Sequence, residues 1–280
     1  GNQQLESVLR EGVELGEVNI VTRKMGTMKL RSSVMNEDMI SSAELTRAAC
    51  CNLGESFVTN PSVDVSYSDA ATGAKQIKLL GLSGTYVQMM TENIPNFRGA
   101  AAPYGLGYVP GPWMQSIQVS KGSSSVKNGY ESITGQINVE FKKPQLPEAD
   151  WVSANLFASS TNRYEANADA TVKLSKRWST SLLAHYENET KSHDSNDDGF
   201  VDIPRVEQYN FWNRWAYMGD HYVFQAGIKA LHETRNSGQT AHGQTPTHDL
   251  YEIGIQTNRY EAFTKNAYIF DKEKNTNLAL

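Results

Sequence analysis

The sequence predicts an α+β domain followed by the first strands of an antiparallel transmembrane β-barrel, and three observations support this fold class. From Trp151 onward, apolar and polar residues alternate over long segments, for example "RYEANADATVKL" at residues 163–174. Such alternation is typical of a strand with two chemically opposite faces. Short turns and long loops also alternate in this region, as they do in outer-membrane barrels. The chain before residue 145 instead combines helix caps, short strands and loops rich in glycine and proline.

Composition narrows the possible functions. The chain has 26 basic and 31 acidic residues, so it lacks the basic surface that nucleic-acid binding requires. It has no run of eighteen apolar residues that would predict a transmembrane helix. The only cysteines, Cys50 and Cys51, are adjacent and are expected to be small helix residues rather than a zinc or redox site. No nucleophile, zinc-protease or phosphate-loop motif is present, so we do not expect an enzyme.

Residues 1–34 are short of core-forming side chains apart from "LGEVNIV" at residues 15–21. The stretch "MGTMKLRSS" that follows is typical of a flexible linker.

Residues 35–144 predict a compact domain of mixed secondary structure. Ser41 and Glu44 form a capping box for a helix through Ala48, and Asn52 with Glu55 can start a second helical turn. Five short strands are expected at residues 63–67, 76–80, 86–90, 116–120 and 135–141, with a long loop at 96–112.

Residues 145–280 predict strands only, near 151–159, 164–174, 178–189, 208–218, 222–233, 250–263 and 264–270. Tyrosines recur near the strand ends, where an aromatic girdle would meet the membrane surface. The alternative is a soluble sandwich, in which the polar faces meet water and the apolar faces form a core.

Three stretches carry a family resemblance: "NLGESFVTNPSVDV" (52–65), "KQIKLLGLSGTYVQMMTENIP" (75–95) and "MQSIQVSKGSSSVKNGYESITGQINVEFKK" (114–143). They resemble the plug domain of TonB-dependent outer-membrane receptors. The resemblance implies a plug at 35–144 and the N-terminal part of the barrel at 145–280. A plugged barrel has about 22 strands, so we expect these strands to be part of a larger wall. Leu80, Glu92–Asn93 and Gln118 depart from the family pattern, which predicts a different network between plug and wall.

The resemblance also implies a function, which is active import of a scarce nutrient across the outer membrane. An iron complex, haem or cobalamin is the expected cargo, and TonB with ExbB and ExbD supplies the energy. A glycan importer and, less favoured, a calcium-binding surface adhesin are the alternatives.

Two segments resemble functional parts of that family. In "GEVNIV", the residues Glu17, Val18, Asn19, Ile20 and Val21 resemble the periplasmic TonB box, which pairs with TonB as an added strand. The loop at 98–112 resembles the apical loop that touches cargo, through Arg98, Tyr104 and Tyr108. Simple loop packing is the alternative for these three side chains.

Two later loops could bind metal. "DSNDDGFVD" at 194–202 has calcium-loop spacing, with ligands from Asp194, Asn196, Asp198, the Phe200 carbonyl and Asp202. Arg205 stands where the bidentate glutamate of such a loop belongs, so only weak extracellular Ca²⁺ binding is expected; a solvated acidic loop is the alternative. His232, His242 and His248 could bind metal or haem, or lie in an ordinary polar loop.

Overall fold

The computed structural model describes residues 27–29, 36–47, 51–58, 60–69, 71–82, 84–123, 128–144, 152–241, 248–271 and 276–280. The coupling segment at 17–21 therefore lies outside the described residues, as does Cys50. The described chain forms a small domain, up to Pro144, and a sheet of consecutive strands from Val152, which we call the meander sheet. Among the described residues, no helix has the length and hydrophobicity needed to cross a membrane.

The small domain is built on a six-stranded sheet in the order β1-β2-β7-β8-β5-β6. Strands β5 and β8 pair in parallel, and the other neighbouring strands of this sheet pair antiparallel. A separate hairpin consists of β3 and β4. The strands are β1 (Thr27–Lys29), β2 (Asn36–Ser41), β3 (Val63–Asp69), β4 (Ala74–Leu79), β5 (Val87–Thr91), β6 (Ile94–Pro95), β7 (Met114–Lys121) and β8 (Gly135–Phe141).

The helical elements of this domain are short. They are the helix α1 (Ser42–Arg47) and 3₁₀ turns at Glu55–Phe57, Gly84–Tyr86, Gly99–Ala101 and Gly111–Trp113. The predicted second turn is confirmed, because the Asn52 side chain accepts the Glu55 N–H (3.2 Å) while Glu55 accepts the Cys51 N–H (3.1 Å).

Two local predictions for this domain are wrong. Cys51 lies beyond the end of α1, in a buried bend, rather than in the helix. Strand β1 occupies part of the predicted linker, because its backbone pairs with β2 from Thr27↔Ile40 to Lys29↔Asp38. A three-residue strand is too short to show a period in the sequence.

The meander sheet has seven strands, each paired with the next in the chain. They are β9 (Val152–Ala158), β10 (Arg163–Lys173), β11 (Trp178–Glu189), β12 (Arg205–Met218), β13 (Tyr222–Gly238), β14 (Glu252–Asp271) and β15 (Thr276–Ala279). The predicted break between residues 263 and 264 is wrong, since β14 pairs with β13 without interruption from Glu252 to Tyr268. Pairing with β13, rather than a local sequence signal, defines the extent of this strand.

The loops leave the meander sheet asymmetrically, as predicted. Tight turns join β10 to β11 and β12 to β13 at one end of the strands, which we call the short-turn end. The long connections 190–204 and 239–251 lie at the opposite end of the strands, which we call the long-loop end.

The meander sheet buries its polar face and exposes its apolar face, which is the reverse of the pattern in a soluble sheet. On β10, Glu165 and Asn167 are each only 4% exposed and face the small domain, whereas Tyr164 and Val172 point outward and are exposed. The same inversion occurs on β12, where Gln208 and Asn210 are buried while Tyr209 and Phe211 are exposed. The small domain thus covers the polar face, which contradicts the sandwich alternative and fits a barrel wall.

The hydrophobic core lies in the small domain and reaches the sheet at a few points. The meander sheet contributes three fully buried apolar residues to this core, Leu183, Trp212 and Leu231. Phe141 of β8 meets Trp212 edge-on, with ring centroids 4.6 Å apart. Gly227 makes room for this contact, because a Cβ there would lie 2.5 Å from the Phe263 ring and 2.8 Å from Trp212 Nε1.

Candidate functional site: the interface between the small domain and the meander sheet

Near the short-turn end, Glu92 joins the small domain to two strands of the sheet. Its carboxylate lies 2.6 Å from Arg214 Nη2 on β12 and 3.3 Å from Lys265 Nζ on β14. Lys265 Nζ also donates to the Glu92 carbonyl oxygen at 2.9 Å. The side chains of Glu92 and Arg214 are only 4% and 2% exposed, so their charges compensate each other away from water.

The backbone presents Glu92 in an uncommon conformation. Glu92 and Asn93 form the two-residue turn between β5 and β6, with φ values of 51° and 65°. Two successive left-handed residues are the pattern of a type I′ turn, in which Asn or Gly is preferred and Glu is strained. The Asn138 side chain accepts the Asn93 N–H at 2.8 Å and holds the turn in place. The strain at Glu92 fits a residue retained for its charge rather than for its turn propensity.

Midway along the sheet, Lys229 of β13 enters a group of aromatic rings. Its Nζ lies 5.7 to 6.0 Å from the ring centroids of Trp113, Phe141 and Trp212, and 4.0 Å from a Glu261 oxygen. The faces of aromatic rings attract a cation, so this contact holds the sheet against both β8 and the 3₁₀ turn at Trp113.

Near the long-loop end, Arg163 of β10 collects three carboxylates. It lies 2.7 Å from Glu55 of the small domain, 2.6 Å from Glu165 and 3.0 Å from Glu187. The contacts to Glu165 and Glu187 are ion pairs without hydrogen-bond alignment, whereas Glu55 also accepts a hydrogen bond. Burial raises the pKa of Glu55, but the Arg163 charge and the hydrogen bonds outweigh it and bring the pKa below its usual range.

A cavity of about 150 Å³ opens beside this group, between the small domain and the sheet, and we call it the outer cavity. Its wall includes two tyrosine rings, which stack with cations: Tyr104 with Arg235 at 5.3 Å and Tyr67 with Lys75 at 5.4 Å. Burial lowers the pKa of Lys75, although the nearby Glu55 charge acts in the opposite direction. The charged groups that line the cavity are Glu55, Glu187, Glu189, Glu233, Lys75, Arg163 and Arg235.

The three predicted cargo contacts are not brought together. Tyr104 lines the outer cavity. Arg98 lies half exposed in a different pocket of the small domain and pairs with Glu131 at 2.8 Å. Tyr108 is 1% exposed, its carbonyl accepts the Asn210 amide at 2.9 Å, and burial raises the pKa of its hydroxyl. Tyr108 thus packs in the interface in this structure, and its contact with cargo stays a prediction.

The acidic loop at 194–202 uses its carboxylates on its own backbone. Asp194 accepts the Asp198 and Gly199 N–H groups at 3.2 and 2.9 Å, and Asp202 accepts the Ser195 N–H at 2.7 Å. Asn196 donates to the Asp198 carboxylate, and the Phe200 N–H donates to that same side chain. Within the described residues, no group of three or more His, Cys, Asp or Glu side chains is arranged to hold a metal ion. Calcium binding stays a prediction.

Two of the three histidines named in the sequence analysis lie among the described residues. His232 lies on β13, the strand that precedes the loop, and contacts the Asn258 side chain at 2.7 Å. His248 is in the loop before β14, and His242 is outside the described residues.

Two features of the interface were missed by the sequence interpretation. One is the pairing of Glu92 with Arg214 and Lys265, although the sequence does mark the turn at Glu92–Asn93 as unusual. The other is the group around Arg163, whose partners Glu165 and Glu187 lie on the alternating polar faces of β10 and β11. The polar alternation was the only available signal, and it does not say which charges meet.

Comparisons with known proteins agree with this architecture. Residues 29–136 match the family model of the TonB-dependent receptor plug domain. No curated protein matches the chain at a significant level.

Solved structures with a similar fold include two receptors of known source. One is the ferripyoverdine receptor of the outer membrane of Pseudomonas aeruginosa (TM-score 0.67, 14% identity, covering 88% of this chain and 34% of that one). Another is the alcaligin outer-membrane receptor FauA from Bordetella pertussis (0.64, 12%, 90% and 40%). The copper transporter OprC is also similar (0.64, 13%, 88% and 37%). The chain thus spans between 34% and 40% of these three proteins.

Proposed function

We propose that the protein imports a scarce nutrient across the outer membrane, because residues 29–136 match the family model of the TonB-dependent receptor plug domain and the chain has the fold of a solved outer-membrane receptor. The plug closes the lumen, and the meander sheet is part of the wall. Transport rather than catalysis is therefore the activity that we propose.

The observation that carries the proposal is the inverted burial of the meander sheet. Its polar face is held against the plug by ion pairs at both ends, and its apolar face, with aromatic side chains such as Trp178 and Tyr222, is exposed. Lipid is the environment that suits this outer face, since water would leave a large apolar surface uncovered. A surface adhesin would require neither this face nor the plug.

For the cargo we propose an iron complex first. The similar structures include receptors for ferripyoverdine and alcaligin, which supports a small metal-carrying ligand without identifying it. Growth of a strain that lacks the gene, on limiting iron complex, haem, cobalamin or glycan, would identify the nutrient that is no longer taken up. Normal growth on all four would contradict an import role for any of them.

Energy coupling is proposed to pass through residues 17–21 to TonB, ExbB and ExbD on the periplasmic side. The apolar side chains of Val18, Ile20 and Val21 suit recognition as an added strand. Deleting residues 17–21 should abolish uptake and leave cargo binding at the cell surface intact, because coupling and binding lie on opposite sides of the membrane.

The matched control for this experiment is a deletion of residues 6–10, which removes the same length of chain from the same N-terminal region. It should leave uptake close to normal. Uptake that survives loss of residues 17–21 would place the coupling segment elsewhere.

A further inference from the structure

The outer cavity contains one carboxylate that the surrounding charges leave uncompensated. Glu55 and Glu187 pair with Arg163, and Glu233 pairs with Arg235 at 3.1 Å. Glu189, the last residue of β11, lines the same cavity and is 7% exposed. Across the described parts of the chain, its carboxylate makes no hydrogen bond and no ion pair.

More distant charges do not replace a partner for Glu189. Arg163, His193 and Arg235 attract it from farther away. However, Arg163 is already shared among three other carboxylates, and the His193 ring contacts the Thr161 carbonyl at 2.6 Å. The Glu189 oxygens are open to the cavity rather than sealed in the interior, so a group that enters and supplies both a hydrogen bond and a counter-ion can reach them and would bind favourably.

The chemistry of the cavity indicates which group that is. A bare metal ion needs several ligands, and the described residues offer no cluster of three or more metal-binding side chains here. An ammonium or guanidinium group needs fewer partners, because it brings its own donors to a carboxylate. The Tyr67 and Tyr104 rings in the cavity wall already stack with cations, which shows that their faces suit positive charge. A volume of about 150 Å³ admits the end of a ligand rather than a whole cargo molecule.

We propose that the outer cavity binds an organic cationic group of the ligand, a primary ammonium or a guanidinium, with Glu189 as its counter-ion. The identification of this ligand as cargo rests on the proposed import function, whereas the cation site itself does not. The long-loop end is where a ligand from outside the cell would arrive in that arrangement.

The test is a binding titration of the purified full chain in detergent, and saturation-transfer NMR measures the binding of each probe. The probes are methylammonium and methylguanidinium, and acetamide is the neutral comparison of similar size. We expect the parent protein to bind both cations in preference to acetamide. Glu189→Gln should weaken cation binding at least about tenfold, because it removes a charge-assisted hydrogen bond.

The matched control is Glu207→Gln, which makes the same charge change on an exposed residue of the neighbouring strand. Its side chain contacts Tyr209 on the outward face and not the cavity. This variant should bind the cations like the parent. Near-ultraviolet circular dichroism checks that each variant is folded.

A second variant covers the case in which Glu189→Gln does not fold. Glu189→Asp keeps the charge but withdraws it by one methylene, so it should retain the preference for cations with weaker affinity. The proposal is overturned if the parent binds acetamide as well as the cations or binds neither cation, or if a folded Glu189 variant binds like the parent. The titration needs neither TonB nor transport, so it fails or succeeds independently of the uptake experiment.

Discussion

Replacing Glu92 by glutamine should loosen the plug from the wall at the short-turn end. The substitution keeps the shape of the side chain and removes its charge, which leaves Arg214 buried without a counter-ion. Removing one partner of a buried ion pair costs about 3–5 kcal/mol. Arg214 would keep its hydrogen bond to the Lys142 carbonyl (2.8 Å) and its stacking on Trp212 (4.5 Å). We therefore expect a loss near the lower limit, about 3 kcal/mol, or about a hundredfold more frequent local opening.

Hydrogen exchange measures this opening directly. In the detergent-solubilised protein, amides of β5 and of β12 near Arg214 should exchange about a hundredfold faster in Glu92→Gln than in the parent. Glu131→Gln is the control, because it breaks the Arg98–Glu131 pair, whose side chains are 50% and 32% exposed. A surface pair contributes at most about 1 kcal/mol, so this variant should exchange almost like the parent.

A double variant separates the ion pair from simple packing. Glu92→Met with Arg214→Met replaces both charges by apolar groups, and such replacements often recover most of the stability. It should exchange more slowly than Glu92→Gln. The reasoning is refuted if Glu92→Gln has no effect on exchange, or if the double variant is as loose as the single one.

Three further predictions concern other parts of the structure. Gly227→Ala should destabilise the wall by about 1–3 kcal/mol in thermal unfolding, since its Cβ would meet an aromatic ring at 2.5 Å, whereas Gly254→Ala has open space to 3.6 Å and should be neutral. Acid should weaken the contact between Glu55 and Arg163. The pKa of Glu55 is lowered in the folded protein, so this contact contributes stability above the usual value of 4.5 and loses it as the pH falls through the folded-state pKa. Hydrogen exchange near Glu55 should therefore accelerate in that acidic range in the parent but not in Glu55→Gln. The double variant Asp194→Ala with Asp198→Ala should remove any calcium dependence of cargo affinity, since too few oxygens would remain for the six to eight that Ca²⁺ takes. An equal calcium response in the parent and the double variant would show the loop to be merely acidic.

The strands of the wall could be predicted from the sequence because their signal is local. Each residue of β10 shows its face by its own polarity, and Glu165, Asn167 and Asp169 do face the plug. The extent of β14 could not be predicted as well, because its last residues are held by pairing with β13 rather than by a stronger local pattern. The short β1 is likewise defined only by its partner strand.

The charged contacts of the interface depend on distant parts of the chain. Glu92 meets Arg214 and Lys265 only after β12 and β14 have taken their register in the sheet. A shift of one residue would turn both cations outward, since strand side chains alternate between faces. The sequence could therefore mark the turn at Glu92–Asn93 as unusual, but it could not supply its partners.

The character of these contacts fits a plug that is held in place and also released. Few fully buried apolar wall residues join the core, and the ends of the interface are fixed by Arg163 and Arg214. A buried ion pair adds little net stability, because desolvation offsets much of the attraction, yet it strongly disfavours any position in which the charges are separated. Such an interface defines one docked position without the affinity of a large apolar contact. A modest pull could then move the plug once water reaches the charges, which is what the proposed TonB coupling requires.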